Sequence, residues 1–493
     1  MPLATRGGDY RRPVDPTTPD PGGTMPVRRW RTAVVGGVAT ATLLAGAAVA
    51  APSSGAGTVG SEGAGDPYFP RAGNGGIDVV RYDLRLDYDP PSSPRRLVGR
   101  LDGVAVITLR TTQRLTRFDL DLRGLRAERV RVDGRLARFS HGRGELRIRP
   151  ARTLPAGEVV EVRIAYGGRT GRPRDLGGAL YGWVTTADGA MVASQPDGSS
   201  TWFPVSDHPT DKARFRFRVR VPEGLVAVAN GLPVDRTTRR GHTAWSWHAA
   251  DPMAPYLATV TVGNFRLDRY RDRSTGVLVV DAVDRDLPRS AAAGLAATGD
   301  MLDFFERRFG PYPFAAYGAI VDDDDLGYAL ETQTRSLFSG AAEEEVVAHE
   351  LAHQWLGNHV SVERWADIWL NEGWATYATW LWAEHAHGRP ARRAYDAVRA
   401  IPASDPFWHT VLADPGPRGL FDAPVYDRGA ATLHALRTRL GDRDFLRLAR
   451  LWVWRHGGGN AGTAVFQALA EEVSGTDLSG FFDAWVRTPR KPA

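Results

Sequence analysis

The sequence HELAH at residues 349–353 is the most informative stretch of this chain. An α-helix advances about 3.6 residues per turn, so His349 and His353 would project from one face and could bind a single ion. Glu372 follows nineteen positions later, and two imidazoles with one carboxylate form a catalytic zinc set that leaves a fourth position for water. Glu350, between the histidines, would then take a proton from that water. The stretch indicates a zinc-dependent hydrolase with one Zn²⁺ per chain.

A plainer interpretation of the same five residues is a solvated helix that happens to carry two histidines. Histidine is scarce here, with 12 in 493 residues, which makes a chance match uncommon. Glu372 also lies among large apolar side chains in the sequence WLNEGWATY at 369–377. A carboxylate in such surroundings is costly unless it is paired or binds a metal. The metal interpretation is therefore favoured.

Composition limits the class of protein. A length of 493 residues suggests two to four domains, and 43% hydrophobic with 24% charged residues is typical of a soluble globular protein. The net charge is +5, but the arginines are scattered singly, so we expect no nucleic-acid partner. The chain has no cysteine, which excludes disulfides, thiolate zinc sites and a cysteine nucleophile.

The N-terminus has the pattern of an export signal. Arginines in 28–31 precede an apolar run over 33–49, and a small-x-small motif predicts cleavage after Ala50. We therefore assign 1–50 to a leader with a signal and expect a secreted or extracytoplasmic protein with no other membrane association. An uncleaved anchor, the choice between general and twin-arginine export, and Met25 as the true start stay open alternatives.

Three further regions follow the signal. Residues 51–76 are dominated by Gly, Ser, Ala and Pro, which predicts a flexible tether. Apolar residues then alternate with period two, with turn signals between short runs, which predicts an antiparallel β-domain over 77–265. Helical periodicity dominates 266–493. The fold class predicted is α+β.

Four helical regions are predicted in the last part of the chain. The motif HELAH lies in a helix whose first turn is acidic, and Glu372 lies near the start of the next helix. The predicted regions are Ala291–Phe309, Ala341–Leu356, Asn371–His387 and, broken by a glycine-rich loop, 428–488.

The motifs resemble those of the M1 family of zinc aminopeptidases, the gluzincins related to aminopeptidase N and leukotriene A4 hydrolase. The resemblance is carried by HELAHQWLGN at 349–358, WLNEG at 369–373 and VYDRGA at 425–430. QP at 195–196 and the segment from Trp202 to Ala213 are similar to the end of the family's N-terminal β-domain. The resemblance implies a thermolysin-like, mainly helical catalytic domain behind that β-domain.

The resemblance also implies roles for individual residues. His349, His353 and Glu372 would bind zinc, and Glu350 would act as general base and then as proton donor to the leaving amine. Tyr426 would donate a hydrogen bond to the developing oxyanion, a position where a donor contributes about 3 kcal/mol.

Selection for a free N-terminus depends in this family on a Gly-x-Met-Glu-Asn loop whose glutamate binds the substrate's amino group. The best match here is YALET at 328–332, which keeps the glutamate as Glu331 but has Tyr328, Leu330 and Thr332 in place of the glycine, methionine and asparagine. A carboxylate facing an ammonium group suits this role, and Gln195 would assist at the same pocket. The implied substrates are peptides with a free N-terminus, cleaved at the first peptide bond.

Large members of the family continue into a helical C-terminal domain that closes over the active site. The sequence here ends at a segment, 481–485, that is similar to the end of the catalytic domain. A short form without that closing domain is expected to have a more open cleft.

Other activities remain open at this point. A zinc endopeptidase of thermolysin type would not need Glu331, and one relative of the family hydrolyses a non-peptide lipid epoxide. A non-enzymatic surface binding module is a third alternative. The run DDDD at 322–325 is interpreted as a solvated loop rather than a calcium site, and Asp367 and Thr376 are candidate hydrogen-bond partners of the zinc histidines.

Overall fold

The computed structural model describes residues 57–93 and 95–493, which form one compact unit. The predicted export signal over 1–50, with Met25, lies outside the described residues and stays a prediction. Among the described helices, none is both long and apolar enough to span a lipid bilayer.

The first half of the described chain is built from strands, which form one large and two small sheets. In chain order the strands are β1 (Thr58–Val59), β2 (Ile77–Asp89), β3 (Arg100–Thr111), β4 (Leu115–Asp121), β5 (Arg126–Val132), β6 (Arg135–Leu136), β7 (Arg138–Gly142), β8 (Glu145–Arg149), β9 (Val159–Arg169), β10 (Gly182–Thr185), β11 (Ala190–Ala193), β12 (Ala213–Pro222), β13 (Val226–Ala229), β14 (Leu232–Arg239), β15 (His242–Met253) and β16 (Val260–Gly263).

The large sheet has eight strands in the order β14-β15-β12-β2-β3-β9-β5-β6. Successive strand residues point to opposite faces, and the predicted alternation in β2 matches this, because Tyr82, Leu84, Leu86 and Tyr88 are all buried. The pairing is antiparallel except between β12 and β2, which run parallel. The predicted antiparallel β-domain therefore contains one crossover within its central sheet.

The second half contains a five-stranded sheet and most of the helices. Its strands are β17 (Phe265–Arg271), β18 (Leu278–Asp284), β19 (Ala316–Tyr317), β20 (Ala319–Asp322) and β21 (Ser336–Ser339). Its helices are α1 (Thr298–Phe309), α2 (Glu344–Ala352), α3 (Trp369–His387), α4 (Ala391–Ala400), α5 (Ala423–Leu440), α6 (Asp442–His456), α7 (Thr463–Ser474) and α8 (Ser479–Phe482). The predicted α+β class, with a β-rich part before a mainly helical part, is confirmed. The domain boundary at 265/266 stays a prediction.

The helix bounds differ from the predicted ones in instructive ways. The residues before α1, Arg289–Ala297, form a 3-10 helix rather than an α-helix. Helix α2 ends at Ala352, so His353 lies at its C-terminal boundary and still keeps helical backbone angles. Helix α3 stops at Gly388, which adopts a left-handed conformation with φ +62°, as a glycine C-terminal to a helix commonly does.

The interpretation of 51–76 as a flexible tether is wrong for the part that the structure describes. Strand β1 pairs with β4, and the Asp66 carboxylate is buried. Its oxygens accept hydrogen bonds from the backbone nitrogens of Tyr68, at 2.8 Å, and Trp365, at 2.9 Å. Trp365 lies 299 positions further along the chain, so the local composition on which the prediction rested carries no sign of this contact.

We expect Asp66→Asn to destabilise the fold at neutral pH. Burial raises the pKa of Asp66, but hydrogen bonds from His208, Trp365 and Tyr68 outweigh it and leave the pKa below its ordinary value. A carboxyl group with a lowered pKa in the folded state stabilises the fold above its unfolded-state pKa, and the stabilisation is lost as the pH falls. Urea unfolding should show a loss of about 2 kcal/mol at pH 7, with a smaller difference from wild type below about pH 4.

Asp268→Asn is the matched control for this measurement. Asp268 forms an exposed ion pair with Arg266, and such pairs contribute about 0–1 kcal/mol. If wild type and Asp66→Asn had equal free energies of unfolding at pH 7, the buried carboxylate would contribute nothing to the stability of the fold.

Candidate active site

Helix α2 presents both histidines of the HELAH motif on one face. Their Nε2 atoms are 3.0 Å apart. The Nδ1 of His353 lies 3.2 Å from the carbonyl oxygen of Leu356, so in the neutral ring we assign the proton to Nδ1, and the lone pair is then on Nε2. Gly357 allows this arrangement. A Cβ at this position would lie 2.9 Å from the Nδ1 of His353, and its φ of +143° is one that residues with a side chain rarely adopt. The Nε2 atom of His353 therefore faces His349.

Helix α3 adds a carboxylate to the two imidazoles. The Oε2 atom of Glu372 lies 3.4 Å from the Nε2 of His349 and 3.3 Å from the Nε2 of His353, and the side chain is buried. Helices α3 and α5 cross closely, because a Cβ on Gly373 would lie 2.9 Å from the Cα of Gly429. The two glycines bring Glu372 next to the residues at the start of α5.

These three side chains fit a zinc ion. Their ligand atoms form a triangle with edges of 3.0 to 3.4 Å, and ligands of a tetrahedral zinc with bonds near 2.1 Å lie about 3.4 Å apart. Burial lowers the pKa of His353, but the negative charges of Glu372, Glu331 and Glu350 outweigh it and raise the pKa to about 10. The carboxylates around His353 therefore favour a positive charge at the triangle. A His-His-Glu donor set is also one that binds zinc.

Glu350 lies beside this triangle. Its carboxylate, that of Glu331 and a ring nitrogen of His353 fall within 4.8 Å of one another. The Oε2 atom of Glu350 is buried and accepts no hydrogen bond from the described residues. Burial raises the pKa of Glu350 well above its ordinary value. A buried acceptor without a donor needs a further polar group, and a water molecule would supply one.

Tyr426 comes from the first turns of α5 and faces the same site. Its ring lies 6.0 Å from the ring of His349, nearly parallel to it. Burial, with the negative charges of Glu372, Glu331 and Glu350, raises the pKa of Tyr426 well above 10. The hydroxyl group therefore keeps its proton at neutral pH and can donate a hydrogen bond.

Glu331 and Gln195 form a second polar pair in the site. The Nε2 of Gln195 donates a hydrogen bond of 3.0 Å to the Oε1 of Glu331, although the two residues lie 136 positions apart in the sequence. Burial raises the pKa of Glu331 to about 7. The pair leaves the second oxygen of Glu331 and the amide oxygen of Gln195 as acceptors for a cationic group. All seven predicted site residues are thus brought together.

Three residues that support this pair were missed in the sequence. The side-chain amides of Asn358, at 2.6 Å, and Gln354, at 3.3 Å, donate to the backbone oxygen of Glu331. Tyr256 is fully buried, and the charges of Glu331 and Glu372 help to raise its pKa. The amides directly follow the HELAH motif, so their position was a usable signal, whereas Tyr256 lies in a strand connection with no motif of its own.

Two weaker expectations turn out differently. Asp367 accepts hydrogen bonds from the backbone nitrogen and hydroxyl group of Thr463, at 3.1 and 2.6 Å, so it holds the start of α7 rather than a zinc histidine. The acidic run at 322–325 is only partly solvated, because Asp322 is buried and Asp324 pairs with Arg172 at 3.2 Å.

Comparisons with known proteins agree with this geometry. Residues 326–485 match the peptidase family M1 domain, and residues 80–257 match the peptidase M1 N-terminal domain. A crystal structure of an M1 zinc metallopeptidase from Deinococcus radiodurans superposes with a TM-score of 0.80 at 31% identity, covering 87% of this chain and 99% of that one. A structure of a mutant of that protein, at the same similarity, is bound to a Tyr-Ser-Ala substrate. A further structure at the same similarity is described as a two-domain M1 zinc metallopeptidase mutant bound to L-tryptophan.

Curated relatives are longer than this chain. A leucyl aminopeptidase of Saccharolobus solfataricus is 24% identical over 84% of this chain and 54% of its own length. Aminopeptidase M1-B of Oryza sativa is 28% identical over 59% of this chain and 36% of its own length. The chain therefore spans about half or less of these relatives.

The two family matches together cover both halves of the described fold, and the similarity to the Deinococcus structure extends over nearly all of that chain. The His-His-Glu triangle lies inside the matched catalytic region. This chain belongs to peptidase family M1.

Proposed function

We propose that the protein is a zinc-dependent aminopeptidase that releases the first amino acid of peptides with a free N-terminus. His349, His353 and Glu372 would hold one Zn²⁺. When bound there, the ion would polarise the scissile carbonyl and lower the pKa of a water molecule to about 7. The observation that carries the proposal is the joint position of this triangle and the pair Gln195–Glu331 in one site.

Glu350 supplies the proton transfers. Its Oε2 accepts the proton of the attacking water, and the same group then gives that proton to the departing amine. Burial helps, because it favours the protonated form in the second step.

Tyr426 stabilises the charge that develops on the carbonyl oxygen. Its hydroxyl group is neutral at working pH, so it donates a hydrogen bond to that oxygen. A donor already in place for the transition state lowers the barrier without further reorganisation.

Glu331 and Gln195 define the end of the substrate. A peptide's ammonium group would donate to the free oxygen of Glu331 and to the amide oxygen of Gln195, and Asn358 fixes the backbone from which Glu331 projects. Charge-assisted bonds of this kind are about twice as strong as neutral ones. An acetylated N-terminus has no cation to offer and would leave a buried carboxylate unpaired.

The proposal is tested by hydrolysis of a panel of aminoacyl-anilides. Wild type should cleave several of them and should leave N-acetylated anilides intact. Cleavage of internal bonds in blocked peptides would instead indicate an endopeptidase, and silence toward every free-amine substrate would refute the proposal.

We expect Glu331→Gln to weaken binding of free N-termini. The change removes the negative charge opposite the ammonium group while keeping the size of the side chain. Since a hydrogen bond to a charged group contributes about 1.5–3 kcal/mol, KM for aminoacyl-anilides should rise roughly 10- to 100-fold. Steady-state kinetics on the same panel measure this.

Glu128→Gln on β5 is the control for that variant, since Glu128 is exposed on the β-rich half and should keep wild-type KM. An unchanged KM in Glu331→Gln would remove Glu331 from the amine site.

Export to an extracytoplasmic compartment stays our proposal from the sequence of residues 1–50. N-terminal sequencing of protein recovered outside the cytoplasm should begin at residue 51.

A further inference from the structure

The turn after α2, residues 353–359, connects a proposed zinc ligand to the proposed amine site. The backbone nitrogen of Asn358 donates a hydrogen bond of 2.9 Å to the carbonyl oxygen of His353. The side-chain amide of the same residue donates to the backbone oxygen of Glu331 at 2.6 Å, and Asn358 is fully buried. A displacement of this turn would therefore move the group that supports Glu331.

A lysine from the β-rich half binds two carbonyl oxygens of this turn. Lys212 is the residue before β12. Its Nζ donates to the carbonyl oxygen of Asn358 at 3.0 Å and to that of His359 at 3.1 Å. These partners lie 146 and 147 positions further along the chain. Asn358 is thus held by Lys212 through its backbone oxygen, and it contacts Glu331 through its side chain.

The Lys212 amine can make these contacts in either protonation state. Burial lowers the pKa of Lys212 to about 7, so the charged and the neutral form are both present near neutral pH. The ammonium group has an N–H donor to spare, and the neutral amine still has one donor for each of the two carbonyl oxygens. The hold on the turn therefore does not depend on the charge of Lys212.

The two carbonyl oxygens also have other donors. The hydroxyl group of Ser361 donates to the oxygen of Asn358 at 3.2 Å, and the backbone nitrogen of Gly458 donates to the oxygen of His359 at 2.8 Å. Replacement of Lys212 therefore leaves neither oxygen without a partner, which avoids the full cost of a buried, unsatisfied carbonyl group. We expect the fold to tolerate the loss of the amine, while the turn loses a contact with the β-rich half.

We propose that Lys212 is a positioning residue for the amine site: by holding the carbonyl oxygens of Asn358 and His359, it fixes the turn from which Asn358 supports Glu331. This inference rests on the proposed aminopeptidase function. The ammonium group of a substrate is bound well only if the carboxylate is already in place, and a misplacement of about 1 Å can cost up to about 100-fold in rate. Loss of Lys212 should therefore weaken the binding of free N-termini.

The test compares wild type, Lys212→Met, Glu331→Gln and the double variant on aminoacyl-anilides. For Lys212→Met we expect KM to rise about threefold to tenfold, with unchanged kcat and zinc content. In the Glu331→Gln background the same change should raise KM no further, because the carboxylate that Lys212 helps to place is already absent. Lys212→Gln is a second variant. Its amide is one bond shorter than the lysine chain and cannot reach both oxygens, so its KM should rise as in Lys212→Met.

Lys491→Met is the matched control. The Nζ of Lys491 also donates to two carbonyl oxygens, those of Arg399 at 2.7 Å or less and of Ile401 at 2.9 Å. These two residues lie at the end of α4, which carries none of the seven predicted site residues. The substitution should leave KM at the wild-type value.

Two results would overturn the inference. If Lys212→Met and Lys212→Gln melt at a lower temperature but keep wild-type KM, Lys212 is a purely structural residue. If the rise in KM multiplies with the effect of Glu331→Gln, Lys212 acts on binding by a route other than Glu331. Wild-type inactivity on every free-amine substrate would instead overturn the proposed function itself.

Discussion

Removal of metal by a chelator should abolish peptide hydrolysis, with a loss of roughly a thousandfold or more in kcat/KM, and added zinc should restore it. Purified protein should contain one zinc ion per chain. The reason is the triangle of His349, His353 and Glu372, whose ligand atoms lie 3.0 to 3.4 Å apart and face one another. Metal analysis, assays before and after chelation, and recovery with zinc measure the effect.

Stability provides a readout that does not depend on turnover. Two of the residues proposed to hold zinc come from α2 and the third from α3, so zinc would bind only the folded protein. Binding to the folded state alone raises the melting temperature. The metal-free protein should therefore melt at a lower temperature than the zinc-loaded one. His353→Ala should lose both the bound zinc and this difference, whereas full activity in metal-free protein would exclude a zinc mechanism.

Glu350→Gln should lower kcat by about 10²- to 10⁴-fold, the usual contribution of general acid–base catalysis. The amide keeps the size of the side chain but cannot take up the proton of the attacking water. Because Glu350 is not one of the three ligands, zinc content should stay at one per chain. KM should change little, since the ammonium group binds elsewhere.

The control for this variant lies on the same helix. Glu345 forms an exposed ion pair with Arg389. Glu345→Gln therefore makes the same change of charge in the same helix, but at a different position. Its kcat should equal that of wild type. A Glu350→Gln protein with wild-type kcat would require a different base.

The residues of the candidate active site were predictable where they lie in short, regular sequence patterns. The i, i+4 spacing of His349 and His353 translates directly into a shared helix face, and the structure places their nitrogens 3.0 Å apart. Alternation in β2 likewise predicted its buried face, since it depends only on neighbouring residues. Such signals are local, and a single sequence contains them in full.

Contacts between distant parts of the chain were not predictable in the same way. The segment 57–76 has the composition of a linker. Its order comes from Asp66 and Tyr68, whose partners Trp365 and Asp414 lie about 300 or more positions away. The pairing of Gln195 with Glu331 was inferred only from the resemblance to a family. Tyr256 was missed, because burial of a side chain beside a charged group leaves no pattern in the neighbouring sequence.

The crossing of α3 and α5 has a consequence for engineering this scaffold. Gly373 and Gly429 have no side chain that could take part in the chemistry, yet they set how far α3, which carries Glu372, stands from α5, which carries Tyr426. Enlarging either glycine would alter the dimensions of the reaction centre for every substrate alike. A designer who wants a new substrate range should therefore leave this crossing untouched.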